Sequence, residues 1–166
     1  MFVVRRATED DAEAIGRVHR RSIREICGAL YPPEVIEAWA APRKPETYSK
    51  AVRDKDFYVA EDAGGALVGF GVLNRETREV EAVYVHPEVK RRGVGMKILR
   101  ALEAVARGAG LETLHLNASL NGVPFYERAG YAWREQGTHR LANGVEIACV
   151  LMDKRLTGEM EGAEGD

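Results

Sequence analysis

Residues 79–131 constrain this chain more than any other stretch. A strand-like segment, Glu79-Val80-Glu81-Ala82-Val83-Tyr84-Val85-His86-Pro87, runs into Lys90-Arg91-Arg92-Gly93-Val94-Gly95 and then into a long amphipathic helical pattern. A second apolar strand follows and closes on Pro124-Phe125-Tyr126-Glu127-Arg128-Ala129-Gly130-Tyr131. A glycine turn that opens a helix leaves backbone N–H groups without intrahelical partners at the positive end of the helix dipole, so it can hold a pyrophosphate. Lys90, Arg91 and Arg92 add charge for a polyphosphate. The phenol of Tyr126 could serve as an acid toward a leaving group. Together these features point to an enzyme that uses a phosphate-bearing, group-carrying cofactor.

Other phosphate sites are excluded by spacing. A Rossmann fingerprint needs a third glycine where Ile98 sits, and a P-loop needs Gly-Lys-Ser/Thr; neither is present. An ATP-binding reading loses its support there. The 166 residues suit one domain over 1–156, followed by a Gly- and Glu-rich tail from Thr157 to Asp166 that is expected to be disordered. With a net charge of −2 the chain lacks a global footprint for nucleic acid or an anionic membrane surface. No apolar run reaches the roughly 20 residues needed to cross a bilayer, and Met1-Phe2-Val3-Val4-Arg5-Arg6 has no signal-peptide core, so a cytoplasmic protein is expected. Cys27 and Cys149, and the four histidines, show no metal-ligand spacing, and no metal is expected. Both cysteines read as small buried hydrophobes; a nucleophilic Cys27 would lack an identifiable partner.

Periodicity predicts alternating strands and helices. Val3–Arg5 begins a strand, and Thr8 caps a helix carrying Ile15, Val18 and Ile26. Pro33 starts a short helix with Ile36 and Trp39 on one side, and Pro45 opens another with Tyr48 and Val52. Strands follow at 56–61, 67–73 and 79–85, then a helix with Val94, Ile98, Ala101, Leu102 and Val105 facing one way. Residues 111–116 read as a strand, 123–129 as a short helix, and 131–138 with 145–152 as a hairpin around Asn143-Gly144. The fold class expected is mixed α/β: a mostly antiparallel sheet flanked by helices, with one strand–helix–strand crossover carrying the glycine loop.

The run Val83–Gly95, with Asn117-Ala118-Ser119 and Val123–Tyr131, resembles the GNAT superfamily of acetyl-CoA-dependent N-acetyltransferases. The usual loop starts with Gln or Arg; here Lys90 stands first and keeps the charge. The resemblance implies that Lys90, Arg91, Arg92, Gly93, Val94, Gly95 and Met96 hold the pyrophosphate. It also implies that pantetheine runs beside Val83, Tyr84 and Val85, splayed from the strand ending at Asn117. Asn117, Asn121, Phe125, Tyr126 and Arg128 are further candidate cofactor contacts. Asn121-Gly122 equally suits a plain turn, and Arg128 a solvated helix end.

Chemistry then suggests roles. An amine with a pKa near about 10.4 is roughly a thousandfold protonated at neutral pH, a handicap of about 4 kcal/mol. Glu79 and Glu81 stand two apart on one strand, on a face expected to include Val83 and Val85. They match positions from which relatives of this kind present a base; Glu81 lies nearer the expected thioester and is favoured, while a merely solvated pair of carboxylates stays open. A backbone N–H near Val85 could stabilise the oxyanion. Thiolate departure needs only about 2 kcal/mol of help, which the resemblance assigns to Tyr126 as general acid. Tyr31, Trp39 and Tyr48 are candidate walls of an acceptor pocket. The acceptor stays open between a polyamine, an aminoglycoside, an amino acid and a protein N-terminus or lysine. A homodimer through the C-terminal strands is the analogy's expectation, and a non-catalytic acyl-CoA-binding module is the rival reading.

Overall fold

Seven strands form one sheet in the order β1-β2-β3-β4-β5-β7-β6, which fits the mixed α/β class expected. They are β1 (Val3–Arg6), β2 (Asp56–Glu61), β3 (Leu67–Asn74), β4 (Glu79–Val85), β5 (Thr113–Ser119), β6 (Ala132–Arg140) and β7 (Glu146–Arg155). Among the described residues only β4 and β5 run parallel, and they are joined by a crossover through α4 (Val94–Gly108). The remaining helices are α1 (Ala12–Glu25), α2 (Pro33–Trp39), α3 (Pro45–Asp54) and α5 (Val123–Arg128). The computed structural model describes residues 1–156; the tail expected to be disordered lies outside the described residues.

Two helical layers cover the sheet because each has one apolar stripe to bury. On one face Leu99, Leu102 and Ala106 of α4 pack with Leu114, Leu116, Tyr126, Tyr131 and Met152. On the other, Ile15 and Val18 of α1 and Tyr48 of α3 pack on Phe57, Val59, Phe70 and Val72. A third cluster, with Ile23, Cys27, Tyr31, Ile36 and Trp39, closes over Leu141 and Ile147. Helix α4 approaches β3 so closely that a Cβ on Gly71 would lie 2.5 Å from Ile98 Cγ2, and one on Gly69 2.9 Å from Ile98 Cδ1. Beneath α4 the fully buried Glu103 accepts bonds from Tyr131 Oη at 2.9 Å and Lys154 Nζ at 3.0 Å, joining α4 to the α5–β6 turn and to β7. No helix of the described residues is long and apolar enough to cross a membrane.

Three expectations are corrected. Strand β5 runs to Ser119, beyond the residues 111–116 expected, because Leu114, Leu116 and Ala118 alternate inward while its ladder with β7 continues to the Ser119–Cys149 pair. The last hairpin is longer than 131–138 with 145–152, since pairing persists to Arg140 and Glu146 at the turn. The third concerns β4. Val72 pairs with Ala82 but Leu73 pairs with Val80, so Glu81 is an extra residue in a β-bulge. Strict alternation is lost there. Val80, Val83 and Val85 pack toward α4, while Ala82 and Tyr84 face α1. Glu79 and Glu81 therefore do not share a face with Val83 and Val85.

Candidate active site

The loop before α4 is built for bare backbone. Gly93 adopts φ +84° and Arg91 φ +67°, both left-handed, in a tight turn just ahead of the helix whose Arg92 N–H is bonded to Val89 O at 3.2 Å. The first turn, Val94 to Met96, adds N–H groups that the helix itself leaves without partners. Gly95 has another function: a Cβ there would stand 3.2 Å from the Phe125 ring, so it permits α5 to close on α4. Lys90 and Arg91 are exposed, whereas the Arg92 guanidinium lies over the Phe2 ring at 5.1 Å. Arg128 is exposed at the end of α5.

Beside this loop the parallel pair opens. Strands β4 and β5 share one rung, Glu79 with His115, and then diverge, leaving the β5-side peptide edge of Val83, Tyr84 and Val85 without a strand partner. A cavity of 290 Å³ lies at the gap, between the sheet and α1–α3. Its lining includes Glu79, Glu81, Val83, Tyr84, Asn117 and Tyr126, so the structure brings together most of the catalytic and strand residues the sequence singles out. Tyr126 is buried edge-on between Phe125 and Tyr131, and burial pushes its phenol pKa up, so it carries its proton at any ordinary pH.

The two carboxylates have different surroundings. Glu81 Oε1 is paired with Lys55 Nζ, and Oε2 accepts from Asn74 Nδ2 at 3.1 Å. Glu79 is half-buried; desolvation, then the Glu81 charge, hold its pKa above the usual carboxylate value. A raised carboxyl pKa with no cation bonded to it is what a general base near neutral pH needs.

Tyr31 is corrected: it does not line the cavity. Its hydroxyl donates to Ala148 O at 2.6 Å and accepts from Leu120 N at 2.9 Å, fastening the segment before α2 to β7. Trp39 does line it, as does Tyr48. Cys27 is no nucleophile, because burial pushes its thiol up to about 12. It bonds the side chain of Asn121, whose Oδ1 is buried with no hydrogen-bond partner among the described residues. Among those residues no cluster of His, Cys, Asp and Glu could hold a metal ion.

Sequence reasoning missed His19, Arg43 and His139, all in the cavity wall. His19 lies 4.6 Å from the Tyr84 ring centre, with Nδ1 3.0 Å from Tyr48 Oη and 3.3 Å from Arg43 Nη1. Burial, then the charges of Arg43 and Arg20, push its pKa down to about 3, so the ring is neutral. A guanidinium only donates, so the Arg43 contact requires an unprotonated Nδ1, whose one lone pair is then shared between Arg43 and the closer Tyr48 hydroxyl. One signal was readable: His19 follows Ile15 by four residues on the inward stripe of α1.

Comparison with known proteins gives a consistent picture. Residues 27–156 match the model of the acetyltransferase (GNAT) domain. An uncharacterised N-acetyltransferase of Methanocaldococcus jannaschii is 24% identical over 148 residues, which are 81% of this chain and 62% of that protein's length. The crystal structure of a GCN5-related N-acetyltransferase from Rhodopseudomonas palustris superposes with a TM-score of 0.86 at 28% identity, covering 92% of this chain and 94% of the other. The PaiA N-acetyltransferase of Thermoplasma acidophilum, solved with coenzyme A, shares the fold at a TM-score of 0.77 and 21% identity, over 93% and 99% of the two chains.

Proposed function

Because this chain belongs to the GNAT acetyltransferase family, we propose that it transfers an acetyl group from acetyl-CoA to a primary amine by direct attack, with both substrates bound at once. The gap between β4 and β5 carries this reading: a free peptide edge, a protonated phenol and a carboxylate of raised pKa border one cavity. The fold neighbour solved with coenzyme A supports the choice of cofactor.

The residues present fit such a cofactor. The left-handed turn at Arg91 and Gly93, with the N–H groups of Val94 to Met96, suits a pyrophosphate, and Lys90 with Arg91 adds charge. The β4 edge from Val83 to Val85 offers donors and acceptors to an amide-bearing arm, as an added strand would use them. Asn121 Oδ1, buried and without a partner, would accept from one amide of that arm, and Asn117 borders the same gap. Phe125 and Arg128 lie on α5 beside it. When bound, acetyl-CoA supplies an acetyl group already activated as a thioester.

Glu79 takes the proton from the acceptor's ammonium, directly or through water. The free carboxylate of Glu79 suits that task better than Glu81, which Lys55 and Asn74 already engage. An N–H on the β4 edge near Val85 receives the developing oxyanion. Tyr126 gives its proton to the departing sulfur.

Calorimetric titration with acetyl-CoA, beside ATP and free CoA, followed by thiol release across a panel of amines, tests the proposal. Binding of about micromolar strength or better to both CoA species, with none to ATP and with amine-dependent thiol release, is expected. Binding without thiol release for any amine would make the protein a sensing module, and no CoA binding at all would remove the reading.

A further inference from the structure

A second charged group in the cavity wall, besides Glu79, says what kind of amine fits. Resting on the transferase reading above, we infer that Arg43 receives a carboxylate of the acceptor, so that the substrate is a small aminocarboxylate, with an α-amino acid of apolar side chain as the simplest case.

Arg43 stands in the loop between α2 and α3, half-buried in the cavity wall. Its guanidinium meets only neutral acceptors among the described residues: His19 Nδ1 at 3.3 Å and Trp39 O at 3.4 Å, both long contacts. Arg5, Arg6, Arg21, Arg53, Arg75 and Arg134 each face a carboxylate. A guanidinium has five N–H donors in a fixed fork that matches a carboxylate, so Arg43 keeps donors and charge for a ligand. The charge of Arg20 also acts on His19, after burial and Arg43, in lowering the pKa of that ring.

The cavity is therefore bipolar. Arg43 brings a positive charge to the lining and Glu79 a negative one, while the charge of Glu81 is offset by Lys55. A zwitterion satisfies both charges, with its ammonium toward Glu79 and its carboxylate toward Arg43. A polyamine would bring a second cation against Arg43, which like-charge repulsion disfavours. The same lining includes Trp39, Phe70, Tyr84, Leu141 and Ile147, which are available to a hydrocarbon side chain. His19 acts as a positioning residue: its unprotonated Nδ1 holds the Arg43 fork, and the Tyr48 hydroxyl fixes the ring.

The test compares matched probes in the thiol-release assay: L-phenylalanine against phenethylamine, L-leucine against isoamylamine, and spermidine. For at least one pair the amino acid is expected to exceed its decarboxylated partner in kcat/KM by roughly tenfold to a hundredfold, the worth of one charge-assisted pair. Arg43→Gln raises KM for that amino acid by a similar factor and narrows its lead, while kcat and the calorimetric affinity for acetyl-CoA stay near wild type. Arg43→Lys falls between the two. The proposal is overturned if spermidine or the plain amines are the better substrates, or if Arg43→Gln slows both members of a pair equally. Those outcomes leave the transferase reading standing; acetyl-CoA binding with no thiol release from any of these probes overturns the inference alone, and the wider amine panel decides the transferase reading.

Discussion

Replacing Glu79 and Glu81 one at a time by glutamine separates the base from its neighbour. At pH 7 an acceptor amine with a pKa near 10.4 is free in only about one molecule in a few thousand. A positioned base is worth roughly a hundred- to a thousandfold, or about 3 to 4 kcal/mol, which offsets most of that handicap. Glu79→Gln should therefore lower kcat/KM at pH 7 by that factor. Glu81→Gln should cost less than about fivefold, because the Glu81 carboxylate is already occupied by Lys55 and Asn74. The pH profile adds a second readout. Wild-type kcat/KM rises as Glu79 loses its proton, and since its pKa is raised, the acid limb lies above the range of an ordinary carboxylate and then flattens. Glu79→Gln lacks that limb and instead follows the free amine, which increases about two-hundredfold between pH 7 and 9.4. The deficit of the variant should therefore shrink steeply over that interval, to within about fivefold of wild type by pH 9.4. Stopped assays of thiol release over pH 5.5 to 9.5 with one alkylamine measure all of this. A larger loss from Glu81→Gln, or a Glu79→Gln deficit that does not shrink with pH, would refute the assignment.

Three further perturbations probe other parts of the site. Tyr126→Phe should lower turnover by tens- to hundreds-fold while calorimetry shows acetyl-CoA binding intact; wild-type turnover with a good acceptor would remove its role as acid. Gly93→Val forces a β-branched residue to φ +84°, a strain of about 1 to 2 kcal/mol, and should weaken CoA about tenfold, whereas Gly93→Asn should weaken it less. Unchanged CoA affinity in Gly93→Val would show that the loop does not bind the cofactor. Gly71→Ala places a methyl 2.5 Å from Ile98 Cγ2 and should destabilise the fold by about 1 to 3 kcal/mol in denaturant melts; a neutral result would mean that α4 can shift away from β3.

The glycine loop proposed for the cofactor was legible as geometry because one continuous segment makes it. Its chemistry is backbone and glycine, so the order strand, Lys90-Arg91-Arg92-Gly93-Val94-Gly95, helix states the geometry almost directly. Strand β2 and the turn into β3 were equally readable, since dense β-branched and aromatic runs are bounded by Asp62-Ala63-Gly64-Gly65. Strand β5 was read short because Asn117 and Ser119 are polar, although their outward position is what keeps Leu116 and Ala118 inward. Tyr31 was assigned to the pocket because an aromatic near α2 carries no mark of which partner its hydroxyl will find.

The other wall of the cavity was legible only in part. Trp39 and Glu79 could be singled out, but His19, Arg43 and His139 come from α1, a loop and β6, so no local spacing connects them to each other or to that pair. The bulge at Glu81 compounds this. Glu79-Val80-Glu81-Ala82-Val83 reads as unbroken alternation, yet only tertiary pairing with β3 shows that Glu81 is supernumerary. Once it is discounted, Glu79 falls into step with Ala82 and Tyr84 and faces α1, the side where His19 and Arg43 stand. The same strand therefore presents its valines to the helix that opens at the glycine loop and its free carboxylate to the opposite cavity. The open β4–β5 edge is the place where these two sides meet.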